Sequence, residues 1–456
     1  MSDTLIGNGT VVTLNADNQL IEQGAVLVRD GRIAAIGLDS MLRQQYPEVD
    51  YTNAGGGLIM PGFLCTHTHF YSAFARGMAI PGEPPRNFLE ILERLWWRLD
   101  KLLTLEDIRA SAEVYMADAI RHGTTCIVDH HASPNAVDGS LDVIADAVEQ
   151  AGIRACLAYE VSDRDGPAII RAGMRENERF IRALRTERKQ QAEAGLLAAS
   201  YGLHASFTLS PATLEQCAAA GASLGVGFHI HVAEDSLDEN DSMAHYGMRV
   251  ADRLAENNIL GTRSIAAHCV HVNSGEIGRL AETQTSSVHN PRSNMNNAVG
   301  RAPVEKMLDG GMHVGLGNDG FSMNMLQEMK AAYLLHKFAL SDPQAMPADL
   351  VMKMAFSDNA HIIQQVFSPF CAGFPAVGTL QVGAAADIVL LDYVPPTPMN
   401  GANFPWHLIF GIDGHHVNST MVAGRWLMRN RQLLTVDGAR IHARARELSY
   451  ALWKRM

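Results

Sequence analysis

The chain is short of several features that would each have settled its class. Its six cysteines (Cys65, Cys126, Cys156, Cys217, Cys269, Cys371) are scattered, with no C-x-x-C pair, which argues against a disulfide framework and against a thiolate zinc site. No uninterrupted apolar run reaches the roughly 18 residues of a membrane span, so no membrane partner is expected. The opening residues, MSDTLIGNGTVV, lack a basic segment followed by an apolar one, and the expected location is therefore the cytoplasm. Basic residues are in deficit too: 37 Lys and Arg against 49 Asp and Glu leave a formal net charge of -12. A sequence-independent grip on nucleic acid needs a basic footprint, so the expected partner is a small molecule. What remains, 456 residues with 47% hydrophobic and 19% charged content, suits a globular protein with a large core.

Both ends of the chain have a β texture. Asp30-Gly31 sits between the alternating apolar runs of GAVLVRDGRIAAIG and signals a hairpin, as does Ala423-Gly424 in STMVAGRWLM. The expected organisation is a small β-sandwich domain built from residues 1–60 and 372–435, with a C-terminal helix over 436–456. Between them, over 61–371, short apolar strands alternate with longer helical stretches. The candidates are FLCTHTH, TTCIVDHH, IRACLAYE, ASYGLHA, VGFHIHVAE, SIAAHCV, TSSVHN and MHVGLGND. Eight parallel strands are the number that closes a (β/α)8 TIM-type barrel. LEDIRASAEVYMADAIRHG has helical periodicity and ends at Gly123, a suitable residue to stop a helix.

Polar groups mark the C-terminal ends of these strands: His67 and His69, His130 and His131, Glu160, His204, His231, His268, His289 and Asp319. In a parallel barrel those ends converge on the face where active sites are built. With 19 histidines in 456 residues, chance supplies roughly 0.8 H-x-H pairs, so His67 and His69 gain their weight from position. Period-two geometry puts both on one face of a strand. Burying two unpartnered imidazoles costs about 1–3 kcal/mol each, a cost that a shared metal removes. In FHIHVAED, spacing alone does not choose between His229 and His231, while Glu234 lies just past the strand end as a candidate proton carrier. His268 in AAHCVH and Asp319 in GLGNDG complete a set of N and O donors that suits Zn²⁺ or Fe²⁺ and leaves room for a water.

PGFLCTHTHF, HVAED, AAHCV, GNDG and the closing VGAAADIVLLD together resemble the amidohydrolase superfamily, along nearly the whole chain. Within it, LWWRLD, VDHHASP and HNPRSNMNN look most like the SsnA-type aminohydrolases, which belong with guanine, 8-oxoguanine, adenosine and cytosine deaminases and triazine hydrolases. The resemblance implies one divalent metal, zinc or else iron, held by His67, His69, His231 and Asp319. It makes His268 a partner of the metal's water and Glu234 the proton shuttle, with Asp319 sharing in catalysis, and it puts His204 against substrate. Binuclear relatives need a carbamylated lysine on the fourth strand; LLAASYGLHASFT has no lysine, which favours a single metal. A homodimer or larger homo-oligomer is expected.

The chemistry so implied is hydrolytic deamination of an amino-substituted N-heterocycle, purine-like, by a metal-activated water. Trp96, Trp97, Phe70 and Tyr71 are candidates to stack on a flat ring, and Arg76, Arg292 and Asn294 to recognise its polar edge. Two rivals stand beside it: a chlorohydrolase or cyclic amide hydrolase of the same superfamily, and a non-catalytic metal-binding barrel. Glu234 separates the first pair, because an amine leaving group needs a proton and a halide does not.

Overall fold

FLCTHTH contributes the strand Phe63–Thr68, buried at every residue. It is followed in one parallel sheet by Thr124–Asp129, Arg154–Leu157 and Leu197–Ala199. A second parallel sheet runs Tyr201–Ala205, Phe228–Val232, Ile265–His268, Ser286–His289 and Val314–Leu316. Each of the eight expected stretches therefore contains a strand, and Ser200 interrupts the fourth. Isolated parallel bridges, Val161 to Leu203 and Thr68 to Asp319, lie where the edges of the two sheets meet. The structure, a computed structural model, describes residues 3–80 and 82–456.

Strands from the two ends of the chain combine, and hydrogen bonding joins them into one nine-stranded sheet. The reason is Leu58–Pro61, which pairs in parallel with Thr4–Val12 on one side and antiparallel with Ile388–Leu391 on the other. Both expected hairpins form. Asp30 and Gly31 have φ of 49° and 74°, Ala423 and Gly424 have 47° and 77°, the left-handed pair of a two-residue turn whose twist matches its strands. The two tips touch, and a Cβ on Gly31 would lie 2.9 Å from the Ala423 carbonyl oxygen.

Three helical segments matter for the site. Leu105–His122 starts at a capping box between Thr104 and Asp107 and stops at Gly123 with φ of 73°, as its sequence predicts. The C-terminal helix Gly438–Trp453 lies on it, packing Ile441 against Val114 and Ala117. Phe88–Leu102 is helical but carries a π-turn at Leu92–Trp96, a feature common at functional sites because it redirects side chains. Among the described residues no helix is long and apolar enough to cross a membrane.

The nine-stranded sheet is fastened to the parallel strands by a buried ion pair. Arg154 donates to both carboxylate oxygens of Asp387, at 2.7 and 3.0 Å, and to the Gly195 carbonyl at 2.5 Å; the Ala423 N–H donates to the same Asp387 at 2.8 Å. Both side chains are about 2% exposed, so removing one partner strands a charge in low dielectric. Asp387→Ala should cost about 3–5 kcal/mol in chemical denaturation; a loss below about 1 kcal/mol would show the pair to be solvated.

Candidate active site

The strand ends bring His67, His69, His231, His268 and Asp319 together, all of them wholly or largely buried. Their ring protons follow from the backbone. His69 Nδ1 donates to the His130 carbonyl at 2.6 Å, and His231 Nδ1 donates to the His204 carbonyl at 2.9 Å. A carbonyl can only accept, so each neutral ring presents a bare Nε2. Those two Nε2 atoms face one another at 3.2 Å, and Asp319 Oδ1 lies 3.0 Å from His69 Nε2 and 3.5 Å from His67 Nε2. His67 Nε2 has no hydrogen-bond partner, while its Nδ1 meets His229 Nε2 at 2.8 Å.

Lone pairs aimed at lone pairs need a positive charge between them. Burial and the neighbouring imidazoles keep His67 and His231 below the ordinary histidine range, hence neutral. Burial opposes charge on His69 as well, but hydrogen bonds to Asp319 and Glu160 outweigh it and hold that ring well above the ordinary range. A proton there occupies the position that a cation would take. Neutral imidazoles with one carboxylate are also what a divalent ion of zinc's class requires. Donor atoms of His67, His69, His130 and His231 all lie within 4.8 Å of one another, as do those of His67, His268 and Asp319.

Strain gathers at the same mouth. Ala233, His268, Cys269 and Asp319 have φ of 46°, 71°, 49° and 53°, left-handed values that cost non-glycine residues free energy and recur at functional sites. Asp319 is held there by the first strand: its N–H donates to the His67 carbonyl at 3.2 Å and its carbonyl accepts from the His69 N–H at 3.1 Å.

Glu234 stands over this group. Burial, with the Asp319 charge adding to it, pushes its carboxyl up to about 8. Asn297 Nδ2 donates to Glu234 Oε1 at 3.4 Å, and His268 Nε2 is 3.6 Å from Oε2. His268 is fixed through Nδ1 at 2.9 Å by Asn294 Oδ1. Ser293 donates to the second oxygen of Asp319.

A pocket with about 690 Å³ of free space, part of it open to solvent, runs outward from His69, His231, Glu234 and Asp319. His204, Trp96, Trp97 and Tyr71 line it, whereas four other expected recognition residues do not. Asn294 is fully buried and holds His268. Phe70 packs in the core against Tyr115. Arg292 pairs with Glu328 at 2.5 Å. Arg76 pairs with Asp118 at 3.3 Å and stacks on Tyr115. Guanidinium groups attract buried carboxylates as readily as ligands, and the sequence does not say which is nearer.

Sequence reasoning left out Asp100, Arg164, Phe88 and Phe207, all on the pocket wall. It noted Glu160 and His130 only as strand-end residues. Glu160 Oε1 is 3.3 Å from His69 Nδ1 and 3.5 Å from His130 Nδ1. The signal for Glu160 was available, since it ends the third strand facing the same mouth.

Parallel strands deliver imidazoles and carboxylates to one end, beneath an aromatic pocket, in an α/β fold with a hydrolytic type of site. Residues 58–427 match the amidohydrolase family, and residues 24–48 match an imidazolonepropionase-like composite domain of bacteria. The chain is 32% identical to 5'-deoxyadenosine deaminase of Methanosarcina mazei, covering 100% of both chains. It is 33% identical to 5-methylthioadenosine/S-adenosylhomocysteine deaminase of Desulforudis audaxviator, covering 91% of each. A crystal structure of an adenosine deaminase from Xanthomonas campestris with bound zinc shares the fold, with a TM-score of 0.84 at 24% identity over 99% of this chain and 98% of that one. The chain belongs to the amidohydrolase family.

The Arg76 cluster yields a pH test of stability. Burial works against charge on Asp118, but His122, Arg76 and the Met323 N–H outweigh it and hold the carboxyl down at about 2. A depressed carboxylate stabilises the fold above its unfolded pKa and loses that contribution as pH falls towards the folded value. Asp118→Asn should therefore cost about 2 kcal/mol at pH 7, and the gap from the parent should narrow below about pH 4. A gap that stays constant with pH would remove the ion-pair explanation.

Proposed function

We propose that this protein is a metal-dependent aminohydrolase that removes an exocyclic amine from a purine-like N-heterocycle. The observation that carries the reading is the convergence of bare imidazole nitrogens and a carboxylate at the floor of a pocket that Glu234 also lines. The names of the full-length relatives, both adenine-nucleoside deaminases, support it.

In this reading His67, His69, His231 and Asp319 hold one divalent ion, zinc by preference, because the donors are borderline nitrogens with a single oxygen. The chemistry such an ion supplies is Lewis acidity, which brings a water's pKa down towards neutrality. His268, fixed by Asn294, orients the attacking water, and Asp319 accepts its proton. Glu234 would give its proton to the ring nitrogen, take one back from the hydroxyl added to the ring carbon, and pass that one to the amine as the C–N bond breaks. His204 Nδ1 donates to Thr208 Oγ1 at 2.8 Å while that hydroxyl donates to the Ala205 carbonyl at 3.0 Å. His204 therefore offers a bare Nε2, an acceptor for a ring N–H. Trp96, Trp97 and Tyr71 supply an apolar wall for the ring.

The same reading divides the chain into a closed eight-stranded barrel over 61–371, a sandwich from 1–60 and 372–435, and a terminal helix over 436–456. The bridges at both sheet edges support closure. A core that mixes Val26, Ile33, Ile388 and Met421 supports the sandwich, the single sheet folding over itself. A cytoplasmic location accords with six buried, unpaired cysteines. Leu334, Phe338 and Phe410, which are 60%, 86% and 68% exposed, accord with a homo-oligomer.

Glu234→Gln should keep the metal and the fold yet lose about 10²- to 10⁴-fold in turnover; loss of the metal instead would make Glu234 a ligand. Ammonia release from purines, pterins, pyrimidines and aminotriazines tests the reaction. Efficient release of chloride or an alcohol, with no ammonia from any of them, would move the assignment to the chlorohydrolase reading.

A further inference from the structure

The functional reading leaves His229 without a task. The strand Phe228–Val232 buries it completely, and period-two geometry puts it on the same face as His231, one pleat deeper in the sheet. Its place becomes informative once the three imidazoles proposed as ligands are compared. His69 and His231 give their Nδ1 protons to main-chain carbonyls, those of His130 and His204, partners that no side-chain replacement removes. Nδ1 of His67 meets a side chain instead: His229 Nε2, at 2.8 Å, is its sole hydrogen-bond partner among the described residues. Both residues are 0% exposed, so bulk water does not compete for the bond.

The two nitrogens share one proton, and its placement decides what His67 offers. On His229 Nε2 the proton would oblige a neutral His67 to carry its own on Nε2, which faces Asp319 Oδ1 at 3.5 Å, and no lone pair would be left for a metal. On His67 Nδ1 the proton leaves Nε2 bare, as at His69 and His231, and a neutral His229 is then protonated at Nδ1. Burial, and after it the imidazoles of His67 and His231, hold His229 well below the ordinary histidine range, so that it keeps a lone pair to accept with. Its Nδ1 is buried without a partner. His130 lies against the ring at 4.3 Å with 16° between the planes, and so presents a face to it and no lone pair. Buried polar atoms left unpaired are few in native proteins, and each calls for an explanation.

We propose that His229 is a positioning residue for the metal: its Nε2 accepts the His67 Nδ1 proton and so leaves the His67 Nε2 lone pair free beside Asp319. The outer partner of a metal-ligating histidine sets its tautomer and its basicity in this way. The proposal rests on the metal-dependent reading and gives the two histidines of FHIHVAED separate tasks, His231 as ligand and His229 as the partner of another ligand.

The test is the zinc affinity of the full chain, read by competition with a chromophoric chelator after the protein has been stripped of metal. His229→Phe keeps a flat ring against His130 but has no acceptor, and His229→Leu removes the acceptor with a smaller side chain. Both should bind zinc about 10- to 100-fold more weakly than the parent while keeping the far-UV circular dichroism of the metal-free parent. His229→Gln, whose amide oxygen stands in for the Nε2 acceptor, should bring affinity back to within about threefold of the parent. Proton–nitrogen correlation NMR on the zinc-loaded parent, labelled at histidine, reads the tautomers directly and should show His67 and His229 both protonated at Nδ1. Affinity within about threefold of the parent in both apolar variants, an amide variant as weak as they are, or a proton on His229 Nε2 would overturn the proposal. A parent that takes up no zinc would instead defeat the metal-dependent reading, and this proposal with it.

Discussion

The site depends on one electrostatic constraint: His231 Nε2 and Asp319 Oδ1 both approach His69 Nε2, at 3.2 and 3.0 Å, so that a positive charge has to sit among them. The arrangement is imposed by backbone. Carbonyls from the neighbouring second and fourth strands, those of His130 and His204, take the Nδ1 protons and so turn each Nε2 inward. Such a backbone partner fixes the tautomer of a metal-ligating histidine. The parallel sheet thus sets both the positions of the imidazoles and the atoms they present. Left-handed backbone at His268 and Asp319 belongs to the same constraint, since strain of that kind persists only where surrounding structure over-determines it.

Around that centre the protein divides its labour between rigid strands and one helical wall. The strands carry the proposed ligands and His268. Phe88–Leu102, redirected by its π-turn, carries most of the aromatic surface together with Asp100. Asp100 to Arg164 and Lys101 to Asp165, the latter at 2.7 Å, tie this wall to the loop after the third strand. The distance of the wall from the metal-ligand candidates allows substrate preference to change with little disturbance of the catalytic floor, as expected of barrels whose specificity lies in loops.

Much of this was legible in the sequence because strand ends punctuate it. His67, His69, His231, His268 and Asp319 each close an apolar run, and parallel topology brings such ends together. The hairpin turns at Asp30-Gly31 and Ala423-Gly424 were legible for an equally local reason, the conformation a two-residue turn demands. Choosing His231 over His229 was not local: spacing left it open, and in the structure His229 lies beneath His67. The wall was legible only in part, since Trp96 and Trp97 announce an aromatic surface while Asp100 and Arg164 acquire meaning only by meeting across 64 residues. Arg76 and Asn294 misled for the same reason, each being claimed by a buried neighbour, Asp118 or His268, that sequence distance conceals.

The central claim is that the His67, His69, His231 and Asp319 set exists to hold one cation. Elemental analysis of the purified protein, repeated on a variant carrying His67→Ala and His231→Ala, tests it most directly. One equivalent of a divalent metal per chain in the parent, and none in the variant at retained secondary structure, is the expected result. Two equivalents in the parent, or full occupancy in the variant, would contradict it.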